Sequence, residues 1–511
     1  MSDPKRRAAP VLRVLMGALM LMAVVMADGR PVVFADTNIY YWMGEMQFRP
    51  LRYALSPLLG GPASAAQDPD AADEAPAEMQ LRRTEMAARS PWFGMMLYAV
   101  TNWGSLWWLA GLQALAMAFA VHTLWRALFP KGRNGEWYAL MSWLAVGSTL
   151  PFFAGFAMPD VWAGGGLIAV TCLVLLRDRI ARGSRFGLYA LLLASLAFHQ
   201  SNAIVAMAVA VAIALVAVRA AALPLRSLAP GLCALVVAIG AALALNAGYI
   251  GAVRQATGET MRSPPFLAAR VLADGPGRKY LKSSCAAGGQ WALCRFSNLP
   301  LTDSQDILWS GDPGKGVFGR STAAERIRID DQQMHFVIMS VLSDPMGTMA
   351  AALGNFGKAL TNLQLEDPLR DPHFYLTDTD WRDTYIADMV HKLGPCGADE
   401  RGCKPRFTGS QSRTWHGMIF ILSLLGLAWI AGQRDWRRKM ASGDPQVAAL
   451  SLVALSFIIA LLANAAITGV LSGPFPRYQA RITWLIPLMA ALFVLHHQDS
   501  RKAFVGDGRP G

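Results

Sequence analysis

The chain has 511 residues, of which 54% are hydrophobic and only 16% charged, with a formal net charge of +12. A soluble domain carries roughly 25% charged residues. The composition therefore excludes an ordinary soluble enzyme, a disordered chain, a coiled coil and a small disulfide-stapled scaffold. The excess Lys and Arg sit in short clusters beside apolar runs, the pattern of membrane orientation signals rather than of a nucleic-acid surface.

A bilayer crossing needs about 20 apolar residues. Ten runs are read as crossings, at 12–28, 104–127, 137–157, 161–177, 186–199, 202–218, 227–248, 415–432, 446–471 and 478–496. The expected fold class is an α-helical integral membrane protein of about ten transmembrane helices, with surface-lying outer helices and one large, mainly helical extracytoplasmic segment. Lys5, Arg6, Arg7 and Arg13 precede or open the first run. No small-residue cleavage pattern follows it, so it reads as a retained helix rather than a signal peptide. Basic clusters recur at Lys131/Arg133, Arg177–Arg185, Arg219/Arg226, Arg434–Lys439 and Arg501/Lys502. The positive-inside rule puts all of them, and both termini, in the cytoplasm.

The apolar stretch Leu188–Val218 has basic clusters at both ends. Both clusters belong on one side, so the chain must turn within it, at His199-Gln200-Ser201-Asn202. Each limb would reach only about 21–26 Å at 1.5 Å per residue. The turn is thus expected within membrane depth, where irregular backbone is tolerated only inside protein or beside a water-filled cavity.

Residues 28–103 and 249–414 face outward in this topology. They divide the chain into a seven-span part (1–248), an outer segment (249–414) and a three-span part with a tail (415–511). The first outer loop holds a low-complexity stretch, Gly60–Glu78. Its acids (Asp68, Asp70, Asp73, Glu74, Glu78) lack calcium-loop spacing and read as a solvated insert. Ser90 and Pro91 then start a helix as cap and first residue, with a break at Thr101–Gly104; this helix is expected to lie on the outer membrane surface. In the second segment, Thr322–Val341 and Pro345–Leu363 read as helices, the latter resting on the bilayer. Cys172 and Cys233 fall in spans, whereas Cys285, Cys294, Cys396 and Cys403 all fall outside. Two disulfides are expected, most simply Cys285–Cys294 and Cys396–Cys403, among three possible connectivities. A zinc site using these cysteines and His391 is the alternative.

Ionisable residues at membrane depth mark function, and four groups lie at the outer face. They are Asp36 in FADTNIYYW, Asp160 in MPD, His199 with Gln200 and Asn202, and Arg477, Tyr478 and Arg481. Each has a bland reading: Asp36 could be a cap or a solvated span end, Asp160 could cap the next helix, His199 could satisfy a turn, and the arginines could meet lipid head groups. Together they suggest a site for an anionic, membrane-tethered substrate, since arginine matches phosphate geometry and a carboxylate can act as a general base.

This pattern resembles the GT-C superfamily of polyprenyl-phosphate-dependent membrane glycosyltransferases. In that superfamily one acid follows the first span and a second lies in the next outer loop; Asp36 and Asp160 match these positions. The resemblance covers 1–248. It implies sugar transfer with inversion from a polyprenyl-phosphate donor at the outer face of a bacterial inner membrane, with membrane lipids as surroundings. Asp36 and Asp160 would be catalytic; His199, Gln200, Arg477, Tyr478 and Arg481 would bind substrate. Thr37 follows Asp36 where the superfamily often has paired acids, so a divalent cation is left open. Glu45 is a distant second carboxylate. No nucleotide motif occurs. The rival readings are an O-antigen-type polymerase or ligase relying on Arg254, Arg262 and Arg270, and a non-enzymatic transporter or assembly factor.

Overall fold

The computed structural model describes residues 4–59, 89–220, 223–257, 261–363, 365, 389–390, 406–407 and 409–506. The expected positions Asp68, Asp70, Asp73, Glu74, Glu78, His391, Cys396 and Cys403 lie outside them. Among the described residues the fold is helical, with one isolated bridge and no strand. Six helices among the described residues are long and apolar enough to cross a membrane. The protein is a multi-pass membrane protein in this sense.

The chain opens with α1 (Pro4–Leu21) and α2 (Ala23–Asp28). The first predicted span is thus two helices broken at Met22. Next come α3 (Ala35–Leu59) and α4 (Pro91–Trp103). Ser90 caps α4 as expected, accepting from the Phe93 amide, and Pro91 is its first residue. Then follow α5 (Leu106–Leu128), α6 (Asn134–Gly147), α7 (Leu150–Gly155), α8 (Val161–Leu175), α9 (Arg182–Phe198), α10 (Ser201–Ala220) and α11 (Leu225–Thr257). The run 137–157 is not one helix. Ser148 stops α6 by donating to Leu144 O and accepting from Leu150 N, and Pro151 restarts the chain as α7. The break between α9 and α10 falls at the predicted polar turn. The boundary expected at 248 falls inside α11, which continues to Thr257.

The segment beyond it has its own core. It comprises α12 (Phe266–Asp274), α13 (Pro276–Ala286), α14 (Ser304–Trp309), α15 (Ala323–Ser343) and α16 (Pro345–Thr361). Leu272, Leu281, Phe296, Phe318, Ile329 and Phe336 bury one another there. Thr322 and Glu325 form a reciprocal cap at the start of α15. Cys285 and Cys294 are disulfide-bonded across nine residues. Closing so short a loop stabilises by about 2.5 kcal/mol. Cys285→Ser is therefore expected to lower the unfolding temperature of this segment, checked by protease susceptibility against temperature.

The last part is α17 (Gly409–Gly432), α18 (Arg434–Ala441), α19 (Pro445–Leu471), α20 (Pro476–Thr483) and α21 (Leu485–Gly506). It packs against the first part around α8, which is buried from Val161 to Val174. Three consecutive glycines make that possible. A Cβ on Gly164 would stand 2.5 Å from the Trp484 indole. Trp484 is fully buried and donates to Arg481 O, locking the junction of α20 and α21. Gly164→Ala is expected to overpack this contact at a cost of about 1–3 kcal/mol, read as a lower melting temperature in detergent.

Candidate functional site

The two acids lie about 120 residues apart in the chain, Asp36 in the first turn of α3 and Asp160 just before α8, and the backbone itself joins them. The Val32 amide donates to Gly155 O (3.0 Å) and the Ala157 amide donates to Val32 O (2.8 Å). Thr37, buried, donates from Oγ1 to Ala157 O at 3.1 Å and accepts from the Phe34 amide at 2.9 Å. Phe34 packs edge-on against Phe156. This stitch lays the start of α3 beside the α7–α8 connection and so brings Asp36 and Asp160 to one place. A second stitch, Ser90 Oγ to Ala197 O at 2.7 Å, brings the start of α4 to the end of α9.

The result is a cavity of about 160 Å³ whose lining includes Asp36, Arg89, Asp160, His199, Gln200 and Arg477. Tyr478, Tyr40 and Asn246 also line it. Both Asp36 oxygens are taken: Oδ1 by Arg89 at 2.5 Å and Oδ2 by Arg477 at 3.0 Å. Burial alone would raise the Asp36 carboxyl, but these guanidiniums outweigh it and hold the group well below its ordinary value. Asp160 is different. It is buried and makes no side-chain bond to the α8 N-terminus, so the helix-cap reading fails. Its oxygens stand 3.8 Å from Arg477 Nε and 3.7 Å from Arg481 Nη1. Among the described residues, Oδ2 accepts no hydrogen bond.

Compared with protein-family models, curated proteins and solved structures, the chain matches none. The reading of this site rests on its own geometry. Six of the seven sequence-predicted site residues line the cavity. Arg481 does not; it is fully buried behind the wall, donating from Nη2 to Asn464 Oδ1 at 3.0 Å. Arg481, expected with Arg477 to bind substrate, is therefore set back from the cavity surface. The cause is Asn464 on α19, which also donates to Tyr478 O and Gln479 Oε1 and so anchors α20 from behind. Glu45 is not among the lining residues. Arg262 pairs with Asp330 and Asp331, and Arg270 with Asp274, all in the outer segment and away from the cavity.

Arg89 is a functional candidate that the sequence does not single out. It follows the low-complexity stretch in the same outer loop, after Arg82 and Arg83, and reads there as one more loop charge. Its position directly before the Ser90-Pro91 helix start is the one signal that could have found it.

A divalent cation does not fit the residues present. Each carboxylate already faces two guanidiniums. Among the described residues no group of three or more His, Cys, Asp or Glu could hold a metal. Three arginines face two acids, leaving a positive excess that favours an anion. Titration of the purified protein with Mg²⁺ or Mn²⁺ is expected to give no saturable heat, and a saturable isotherm would overturn that assignment.

Proposed function

We propose that the protein is a membrane glycosyltransferase that moves a sugar from a polyprenyl-phosphate donor to an acceptor hydroxyl in this cavity. The observation that carries the reading is the Asp160 Oδ2 atom, which has no hydrogen-bond partner among the described residues and lies beside a clamped row of guanidiniums. A second feature supports it. An apolar groove of about 630 Å³, lined by Trp92, Met95, Ala241, Leu245 and Gly248, adjoins the polar cavity. The two meet where Trp92 Nε1 donates to Asn246 Oδ1 at 3.1 Å, since Trp92 lines the groove and Asn246 the cavity. An isoprenoid chain in the groove would deliver its phosphate to the arginines.

In the mechanism, Arg477 and Arg89 hold the donor phosphodiester. Asp160 takes the proton of the acceptor hydroxyl as that oxygen bonds to the anomeric carbon. The bond from that carbon to the phosphate oxygen breaks, and the polyprenyl phosphate leaves with one more negative charge. Guanidiniums fixed in a dry site stabilise such developing charge without reorganising. Direct displacement of this kind inverts the anomeric centre. Asp36, whose lowered basicity disfavours it as a base, sets the two arginines in position. His199, held by Ser201 Oγ at 2.8 Å, and Gln200 contact the sugar.

The same reading takes ten spans, cytoplasmic termini and an outward-facing cavity in a bacterial inner membrane. The Cys285–Cys294 disulfide supports an oxidising compartment for the outer segment. Binding of a short isoprenyl monophosphate to the detergent-solubilised protein tests the donor assignment. Saturable stabilisation is expected for wild type, and a loss of affinity for Arg477→Gln. Equal binding by both proteins would sink the proposal.

A further inference from the structure

Outside the cavity, the strongest unexplained feature is the corner between α15 and α16, where the chain bends by 103°. The two helices differ in chemistry along their length. The first half of α15 is charged, with Glu325, Arg326, Arg328, Asp330 and Asp331. From Phe336 to Gly357, Asp344 is the one ionisable side chain. That residue sits at the corner and is engaged twice, once by a cation. It caps α16 by accepting from the Gly347 amide at 2.9 Å, and it pairs with Lys279 Nζ at 2.8 Å.

Among the described residues, nothing covers the apolar half. On α15, Met334, Ile338 and Leu342 recur every four residues and so share one face. All three are exposed, Leu342 to 68%. On α16, Met346, Met349 and Leu353 continue the stripe, exposed to 77%, 58% and 62%. A contiguous exposed patch of this kind marks an interaction surface. The opposite side of α16 is committed to α19. A Cβ on Gly469 would meet Asn355 O and the Ala359 Cβ, both at 2.9 Å, and Asn362 donates to Pro474 O at 2.6 Å. α19 is one of the membrane-crossing helices, and these contacts are at its end away from Pro445. On the same face of α19 as Gly469, the exposed Ile458 and Leu462 carry the apolar surface up to α16.

We infer that the α15–α16 corner is a wedge inserted into the membrane interface, with lipid hydrocarbon as the occupant of the Met334–Leu353 stripe. Two observations select lipid: the stripe is continuous with the exposed side of a membrane-crossing helix, and its single acid is neutralised. Lys279, 75% exposed, can hold the corner at head-group level while its stem lies along apolar surface. The wedge would tether the disulfide-bonded segment to the bilayer beside the end of α19. This inference does not depend on what the cavity binds.

The test is depth-dependent fluorescence quenching in vesicles. The full chain, carrying Cys233→Ser to remove the exposed free thiol among the described residues, receives one cysteine at Met346 or Leu353, or at the exposed Lys315 as a water-facing control. Each protein is labelled with an environment-sensitive fluorophore and reconstituted in phosphatidylcholine vesicles. The protein without an added cysteine sets the background. Labels at 346 and 353 are expected to emit blue-shifted light and to lose most of their emission when the lipid carries a nitroxide high on its acyl chain. The label at 315 should respond only to aqueous iodide. Iodide quenching at 346 and 353 would overturn the wedge. So would resistance to both quenchers, which would mean that protein covers the face.

Discussion

Asp160→Asn is expected to lower sugar transfer by a factor of roughly 10²–10⁴, the usual contribution of a positioned general base. The geometry makes the substitution informative. Asn keeps the shape of the side chain but cannot take the acceptor's proton. The Asp160 oxygens lie beyond hydrogen-bond distance of Arg477 and Arg481, so no direct bond is lost. Removing one negative charge from a cavity that already carries excess positive charge should leave isoprenyl-phosphate binding as tight as in wild type or tighter. Loss of transfer with retained binding is thus the signature of the proposed role. Arg477→Gln should give the reverse emphasis, with weakened binding as the primary defect. Full transfer by Asp160→Asn would exclude Asp160 as the base and leave either Asp36 or the arginine-dependent polymerase reading.

Much of this arrangement is legible in the amino-acid sequence. Charge clusters and the two-sided constraint on Leu188–Val218 predict one side and similar depth for Asp36, Asp160, His199 and Arg477, and in the fold these four line one cavity. The His199–Asn202 turn and the Ser90-Pro91 helix start follow from local chemistry that leaves few options. Lateral proximity is not legible. It depends on the two backbone bonds between Val32 and the Gly155–Ala157 segment, and so short a pairing has no periodicity to detect. The internal break at Ser148 is hidden for a related reason. Apolar composition runs straight through it, and a serine that satisfies the backbone locally does not interrupt hydropathy. Sequence reasoning sets Arg481 on the correct helix but with the wrong exposure. The partner that draws it inward, Asn464, lies on another span and reads alone as helix-packing glue.

Asp36→Asn is expected to act first on stability and only then on activity. Asp36 is the shared counter-ion of Arg89 and Arg477, whose side chains are largely buried at 18% and 16% exposure. Removing one partner of a buried pair costs about 3–5 kcal/mol, because the remaining charge stays desolvated and unpaired; partial exposure places the expected loss near the lower end. The pH dependence separates this from a packing effect. The folded carboxyl is held below its ordinary value of 3.8 by the two guanidiniums, despite burial. The ionised form therefore contributes stability that is fully present above that value and is lost as pH falls through the folded one. The gap in melting temperature between wild type and Asp36→Asn should be constant from neutral pH down to about pH 5 and should narrow in stronger acid. A gap that persists unchanged at pH 3 would mean that the two ion pairs are not what Asp36 contributes. Transfer by the variant should fall with its phosphate affinity, since Arg89 and Arg477 lose the group that sets their positions. A variant with full stability and no transfer would instead restore Asp36 as the group that accepts the proton.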